Sequence, residues 1–317
     1  MRRSFPTRRR FAGWVAAAWL LGLVAVGLVA PLLPLPYSPA TPDLANLTIA
    51  PGQYAAHYLG TDPLGRDVLA QLVFGSRQLL FLSLPAAAVA VAAAALLGGA
   101  AGYWGDRGLR LPWLLSLSLG AVAWAWLQPP LLAGLAGAAA VVAVAYLHRW
   151  RLPVPLDSLV LGLATLLGAL PRLVLVLAFA AGPPLAGGWL LALLALLAWP
   201  DMARLVRTQT RQVRAQPYVE AARAAGLPEW RVWWRHTLPA ACRPLWAYAP
   251  LALAGLIGLE STLAFLGIGV APDTASWGQL LSQFRQAPDA WWLLLLPGGL
   301  LVSTMLALQV FARSQRK

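Results

Sequence analysis

The chain has a single lysine in 317 residues, and it is the last one, Lys317. A phosphate-binding loop of the G-x-x-x-x-G-K-[ST] type is therefore excluded, and any ATP used must be bound by another chain. A single cysteine, Cys242, excludes an internal disulfide and a cysteine metal cluster. The three histidines, His57, His148 and His236, lie far apart and lack metal-ligand spacing. Charge is scarce at 11% of residues, where a soluble domain carries roughly 25%. No apolar stretch offers paired carboxylates or a Ser/His/Asp set at a catalytic spacing, which argues against a membrane-embedded enzyme.

What is abundant is apolar. The chain is 60% hydrophobic, and several runs exceed the ~20 residues needed to cross a bilayer. This composition describes an all-α polytopic membrane protein with one membrane domain. The net charge of +13 comes from arginines at the ends of the apolar runs. That is the placement of cytoplasmic anchors, so the basic balance points to the lipid bilayer and not to nucleic acid.

Arg2, Arg3, Arg8, Arg9 and Arg10 place the N-terminus in the cytoplasm. The run 13–34 is too long for a signal-peptide core and is expected to remain as the first transmembrane helix. Residues 35–76 form an outer, Pro-rich loop containing LGTDPLGRDVLAQLVFGSR at 59–77. Two readings stand for it. One is a solvated loop with a short interfacial helix, Asp67 near its start being favoured by the helix dipole. The other is an external gate or docking segment. Residues 77–103 return as a second helix rich in Ala and Gly, suited to close helix packing. Two short apolar runs, 111–127 and 131–147, are split by Gln128-Pro129-Pro130 and form either a transmembrane or a re-entrant hairpin.

Residues 156–181 go out, interrupted by Pro171 and Arg172. Arg172 is either a pathway or pairing residue, or it snorkels to the interface. Residues 189–206 return, 245–266 go out, and 291–311 return. Glu260 is the one acid to examine for membrane burial, and it is expected near the outer interface. The sum is six core helices plus an extra inserted helical hairpin, with both termini cytoplasmic.

The most polar stretch between the apolar runs is 217–239, PYVEAARAAGLPEWRVWWRHTLP. Pro217 suits the first turn of a helix. Gly226 suits the left-handed position that closes it, and Pro228 starts the next one. In the second helix Trp230, Trp233 and Trp234 share one face, with Arg231 and Arg235 on another. This is the pattern of a helix lying on a membrane surface. The stretch reads as a helix–Gly–helix elbow open to a soluble partner.

Glu220-Ala221-Ala222, then Gly226, then His236-Thr237-Leu238-Pro239, resembles the EAA loop of bacterial ABC importer permeases. The Arg235–Pro239 form resembles the dipeptide/oligopeptide/nickel branch. Gly60-Thr61-Asp62-Pro63-Leu64-Gly65-Arg66-Asp67 resembles the external motif of that branch's C-type subunit. Trp199-Pro200 with Ala203 to Arg207 resembles the entry to the EAA loop. ESTLAFLGIG at 260–269, with Pro272 and Ser276-Trp277-Gly278, resembles the last external loop. The resemblance covers 1–105 and 156–312. Three features depart from it. Residues 109–155 look inserted, Gly162 and Thr165 stand where the family carries Arg and Asp, and the acidic tail is absent.

The resemblance implies a type I ABC importer transmembrane domain (MetI-like). Residues 1–76 would hold the tail, first helix and periplasmic loop, and 77–317 the permease domain, with the coupling loop at 208–240. It implies ATPase coupling through Glu220, Ala221, Ala222, Gly226, His236, Leu238 and Pro239. It implies gating or binding-protein docking through Gly60, Thr61, Asp62, Gly65, Arg66, Asp67, Trp277 and Gly278. The implied partners are a homologous B-type permease, two ATPase subunits that bind the ATP and Mg, and a periplasmic substrate-binding protein, at the bacterial inner membrane. The chain itself would hold no cofactor or metal. Peptides are the expected cargo. Nickel or another small solute is the alternative within the class, and an uncoupled channel or scaffold the alternative outside it.

Overall fold

The computed structural model describes residues 6–106, 110–112, 151–153, 155–172, 174–175, 187–268 and 274–315. All of the hairpin expected at 111–147 beyond residue 112, and Pro272, lie outside the described residues. Among the described residues, five helices are long and apolar enough to cross a membrane. They fall in α1 (Pro6–Val29), α2 (Val68–Trp104), α4 (Gly187–Arg214), α8 (Leu245–Phe265) and α10 (Trp292–Gln315). Between them lie α3 (Leu156–Ala169), α5 (Pro217–Ala224), α6 (Glu229–Val232), α7 (Leu238–Ala241) and α9 (Trp277–Gln283).

Of the expected outgoing segment at 156–181, the described residues give the 14-residue α3, which ends just before Pro171, and helical backbone again at 172 and 174–175, while 173 and 176–181 lie outside them. At 1.5 Å per residue α3 alone spans about 21 Å. Proline disfavours helical backbone at the residue before it, which explains the break. Among the described residues the fold is helical apart from one minimal ladder. Arg110–Pro112 and Arg151–Pro153, the same tripeptide twice, pair antiparallel as β1 and β2. This ladder brings the two ends of the inserted stretch together.

The chain forms two compact units. The first comprises Met1–Ala95, Leu166–Ala203 and Cys242–Lys317, and the second Leu96–Thr165 and Arg204–Ala241. In the first unit, α8 and α10 pack together, with α1 against α10 and α9 wedged between α2, α8 and α10. Its core joins Val68, Leu72, Ile257, Trp277, Leu280, Leu293 and Leu301. In the second unit a smaller core gathers Tyr103, Val219, Ala222 and Val232, with Trp104, Leu227 and Trp233 around it.

Candidate functional site

Two constellations stand out, one in each unit. The elbow belongs to the second unit. Pro217 opens α5 at its first turn, where the missing N–H costs no hydrogen bond. The helix closes in a Schellman motif: Leu227 N donates to Ala222 O (3.4 Å) and Gly226 N to Arg223 O (2.9 Å). Gly226 takes φ +79°, which any side chain would strain. Leu227 packs back beside Ala222 and Val219, the apolar contact that accompanies this motif.

One face of α5 is thereby spent on the core: Val219 and Ala222 are buried. Glu220, Ala221, Gly226 and Pro239 are exposed, His236 is half-buried and Leu238 is buried. The elbow is clamped to the end of α2. Tyr103 Oη donates to Glu229 Oε2, and Arg214 Nη1 to the Tyr103 carbonyl. Arg223 Nε lies 3.3 Å from Glu229 Oε1, and its guanidinium covers the Tyr103 ring at 5.3 Å. Gly99 and Gly102 permit the contact: an added Cβ would come within 2.6 Å of Leu238 Cδ1 at one and of the Arg207 carbonyl at the other.

The tryptophans do not share one environment, contrary to the sequence expectation. Trp230 and Trp234 are exposed, whereas Trp233 turns inward against Trp104 at 4.9 Å between ring centroids. A wider π-type turn over Trp233–Thr237 rotates the side chains away from simple helical spacing.

Beside the elbow, Asp157 opens α3 almost fully buried. It accepts hydrogen bonds from Arg207 through Nε and, at 2.6 Å, Nη2, and from Arg211 Nη2 at 2.6 Å. Asp106 accepts Ser158 N and Ser158 Oγ, both at 2.8 Å, and these bonds, the backbone one first, hold its carboxyl below the ordinary range. Sequence reasoning passed over Asp157. The available signal was Arg207 and Arg211, four apart on one helix face, facing an acid at the start of an apolar run.

The second constellation is the 43–78 segment of the first unit. The reading of a solvated loop is overturned here: Thr61, Asp62, Arg66 and Asp67 are all buried. Asp62, Pro63, Leu64 and Gly65 form a turn closed by Gly65 N to Asp62 O at 2.9 Å, with residue types that suit its positions. Asp62 Oδ1 accepts Leu64 N (2.9 Å) and Arg66 N (2.8 Å), and its Oδ2 accepts Arg66 Nε (2.8 Å) and Gln71 Nε2 (2.7 Å). Asp67 caps α2 through Ala70 N at 2.8 Å. Its other oxygen lies 3.0 Å from Nδ1 of His57, a fully buried ring stacked on Tyr37 at 4.1 Å. A Cβ on Gly60 or Gly65 would lie 2.3 or 2.2 Å from a backbone oxygen, and both residues have positive φ.

The last-loop motif joins this knot. Trp277 Nε1 donates to Leu72 O (2.9 Å), and Trp292 Nε1 to Thr61 O (3.1 Å). Gly278 passes so close to α8 that a Cβ would sit 2.2 Å from Ser261 O. Glu260 is buried and accepts from Ser276 Oγ at 3.3 Å. All eight residues expected at the gate thus converge in one unit, but as internal struts. The surface beside them is made by exposed neighbours such as Leu44, Tyr54, Tyr58 and Leu64.

Arg172 is paired: its Nη2 donates to Asp201 Oδ2 at 2.6 Å. Asp201 was not singled out from the sequence, although an acid beside Pro200 inside an apolar run is such a signal. Among the described residues, no group of three His, Cys, Asp or Glu side chains is placed to hold a metal ion.

The family described as binding-protein-dependent transport system inner membrane component matches residues 138–315. A protein of Brucella suis biovar 1 named as a peptide permease is 30% identical over 281 residues, 86% of this chain and 75% of that protein. A second Brucella suis protein, named as a peptide transport system permease, is 28% identical over 263 residues, 82% of this chain and 72% of its own. An Escherichia coli K12 protein named for D,D-dipeptide transport is 29% identical over 278 residues, 87% and 76% of the two chains.

Proposed function

The chain belongs to the binding-protein-dependent transport system inner membrane components, and from that premise we propose that it is one of two permease subunits in an ATP-driven peptide importer. The observation that carries the proposal is the elbow. Glu220 and Ala221 are exposed on a short helix whose opposite face is locked to the ends of two membrane-spanning helices. A load applied at Glu220 therefore acts on α2 and α4 and is not absorbed by a flexible loop.

In this reading the elbow seats in a groove of an ATPase subunit. Gly226 sets its bend, and His236, Leu238 and Pro239 complete its second arm. Two ATPases, a homologous B-type permease and a substrate-binding protein complete the machine. Closure of the ATPases on ATP moves the elbow, and the spanning helices follow, alternating access across the membrane. The chain performs no bond chemistry and binds no ATP or Mg. The cargo is peptide, as the names of the relatives suggest. The location is the bacterial inner membrane, with elbow and termini cytoplasmic, supported by the arginines that flank the apolar runs. The knot at 43–78 then faces the periplasm. Its buried motif residues hold the shape of the surface on which the binding protein lands.

The test is purification from the native membrane in mild detergent. Recovery of a second permease, ATPase subunits and a peptide-loaded binding protein is expected. Recovery of the chain alone, where a control importer stays intact, would overturn the proposal.

A further inference from the structure

A cleft of about 520 Å³ opens in the first unit between Arg172, α4 and α8. Its walls are mainly apolar, with Leu197, Leu251 and Gly255 among them. Four polar side chains line it: Arg172, Asp201, Tyr248 and Thr262, whose hydroxyl donates to the Gly258 carbonyl of its own helix. Arg172 and Asp201 form the 2.6 Å ion pair, yet their side chains remain 56% and 42% exposed. Asp201 lies midway along α4, and Tyr248 in the first turn of α8, both in helices long enough to span. Charges at such a depth face the bundle interior or a water-filled passage, since facing lipid is costly. A structural ion pair there would be expected to be buried. This one is open to the cleft.

We propose that this cleft is a subsite of the transport path that receives the two charged termini of a short zwitterionic peptide, its carboxylate at Arg172 and its ammonium at Asp201. The proposal rests on the peptide-importer reading. A planar guanidinium matches a carboxylate in two parallel hydrogen bonds. A carboxylate is the natural partner of an ammonium group. The pair can open to admit the peptide because each member trades one opposite charge for another. No charge is left unpaired in a low-dielectric site, which is what makes ion-pair breaking expensive. The cleft is of the size of small-molecule sites. Its apolar walls suit side chains of varied shape, and Tyr248 adds a hydroxyl. Around Gly255 the space is open: an added Cβ would meet nothing within 4 Å.

The test uses the complete importer in liposomes, with its own binding protein and a labelled mixture of di- and tripeptides in free, N-acetylated or C-amidated form. The binding protein's preferences cancel when a variant is compared with the wild type. Arg172→Gln should lower the free-to-amidated uptake ratio, and Asp201→Asn the free-to-acetylated ratio, each about tenfold, the loss of one charge-assisted contact. Gly255→Leu, which fills the cleft without touching charge, should depress uptake of all forms alike. Wild-type uptake of free peptides with unchanged ratios in both charge variants would overturn the subsite alone and leave a structural ion pair. Wild-type rates in Gly255→Leu would overturn it as well. A wild-type importer that takes up no free peptide would refute the importer reading, and the subsite with it.

Discussion

Replacing Asp62 by Ala should open the 43–78 knot without unfolding the helices behind it. Asp62 is wholly buried and receives four hydrogen bonds of 2.7–2.9 Å: two from backbone amides, one from Arg66 and one from Gln71. Alanine removes all four acceptor contacts and Arg66's carboxylate partner together. Breaking a buried ion pair from one side costs about 3–5 kcal/mol. The lower figure is appropriate here, because the knot lies at the end of α2 and water can enter once it loosens. A cost of about 3 kcal/mol is a factor of about 150 in the local opening equilibrium. Asn keeps the shape and the two backbone contacts at Oδ1 but turns an NH2 toward the Arg66 and Gln71 donors, so its effect should be smaller than that of Ala, about tenfold. Hydrogen exchange measured by mass spectrometry on the detergent-solubilised importer reads this directly. Peptides covering 60–71 should exchange faster by these factors, while those from α10 stay protected. Exchange within about threefold of wild type in the Ala variant would refute Asp62 as the keystone. Equal acceleration in α10 would refute the separation of the knot from the rest of the unit.

Glu220→Lys should abolish ATP-driven uptake with insertion and yield unchanged, and wild-type uptake would remove the coupling role from the elbow. Gly226→Pro forces φ from +79° to about −65° at the Schellman position, so it should uncouple ATP hydrolysis from uptake; retained coupling would mean the bend is dispensable. Asp157→Asn weakens three charge-assisted hydrogen bonds to Arg207 and Arg211 and should lower the melting temperature of the purified importer by several degrees; an unchanged value would mark the cluster as energetically idle. Asp43 is held below the ordinary carboxylate value of 3.8, first by the Asn46 side chain and further by Ala45 N and His57. A lowered folded pKa gives stability that is present above pH 3.8 and lost as the pH falls through the folded value, so the protection of the 43–67 amides, with each rate divided by its intrinsic rate at that pH, should stay level from neutrality to about pH 4 and fall below it. A loss of protection between pH 7 and 5 would contradict Asp43 as the acid limit.

The elbow was largely legible in the sequence because its shape is set locally. Pro217, Gly226 and Pro228 impose backbone states that depend little on what packs around them. The inward turn of Trp233 was not legible, because the π-type turn that produces it answers to Tyr103 and Trp104, more than a hundred positions earlier. The same reason hid Asp157 and Asp201. Each is a lone acid in an apolar context, and its partner lies 50 or 29 residues away across helices whose packing no local pattern specifies.

The knot carries a different lesson. Gly60, Asp62, Gly65 and Asp67 form a recognisable string because each position tolerates one chemistry: a backbone approach of 2.2–2.3 Å, a fourfold acceptor, a helix cap. Such constraints arise inside a structure and not at its contact surface. A motif legible by its residue types thus marks the frame of a docking surface, and exposed Leu64, Tyr54 and Tyr58 beside it are where a choice of partner would be made. Substitutions in the string should impair delivery from any binding protein, whereas substitutions at those three positions should change which binding protein is accepted while the 60–71 amides stay protected.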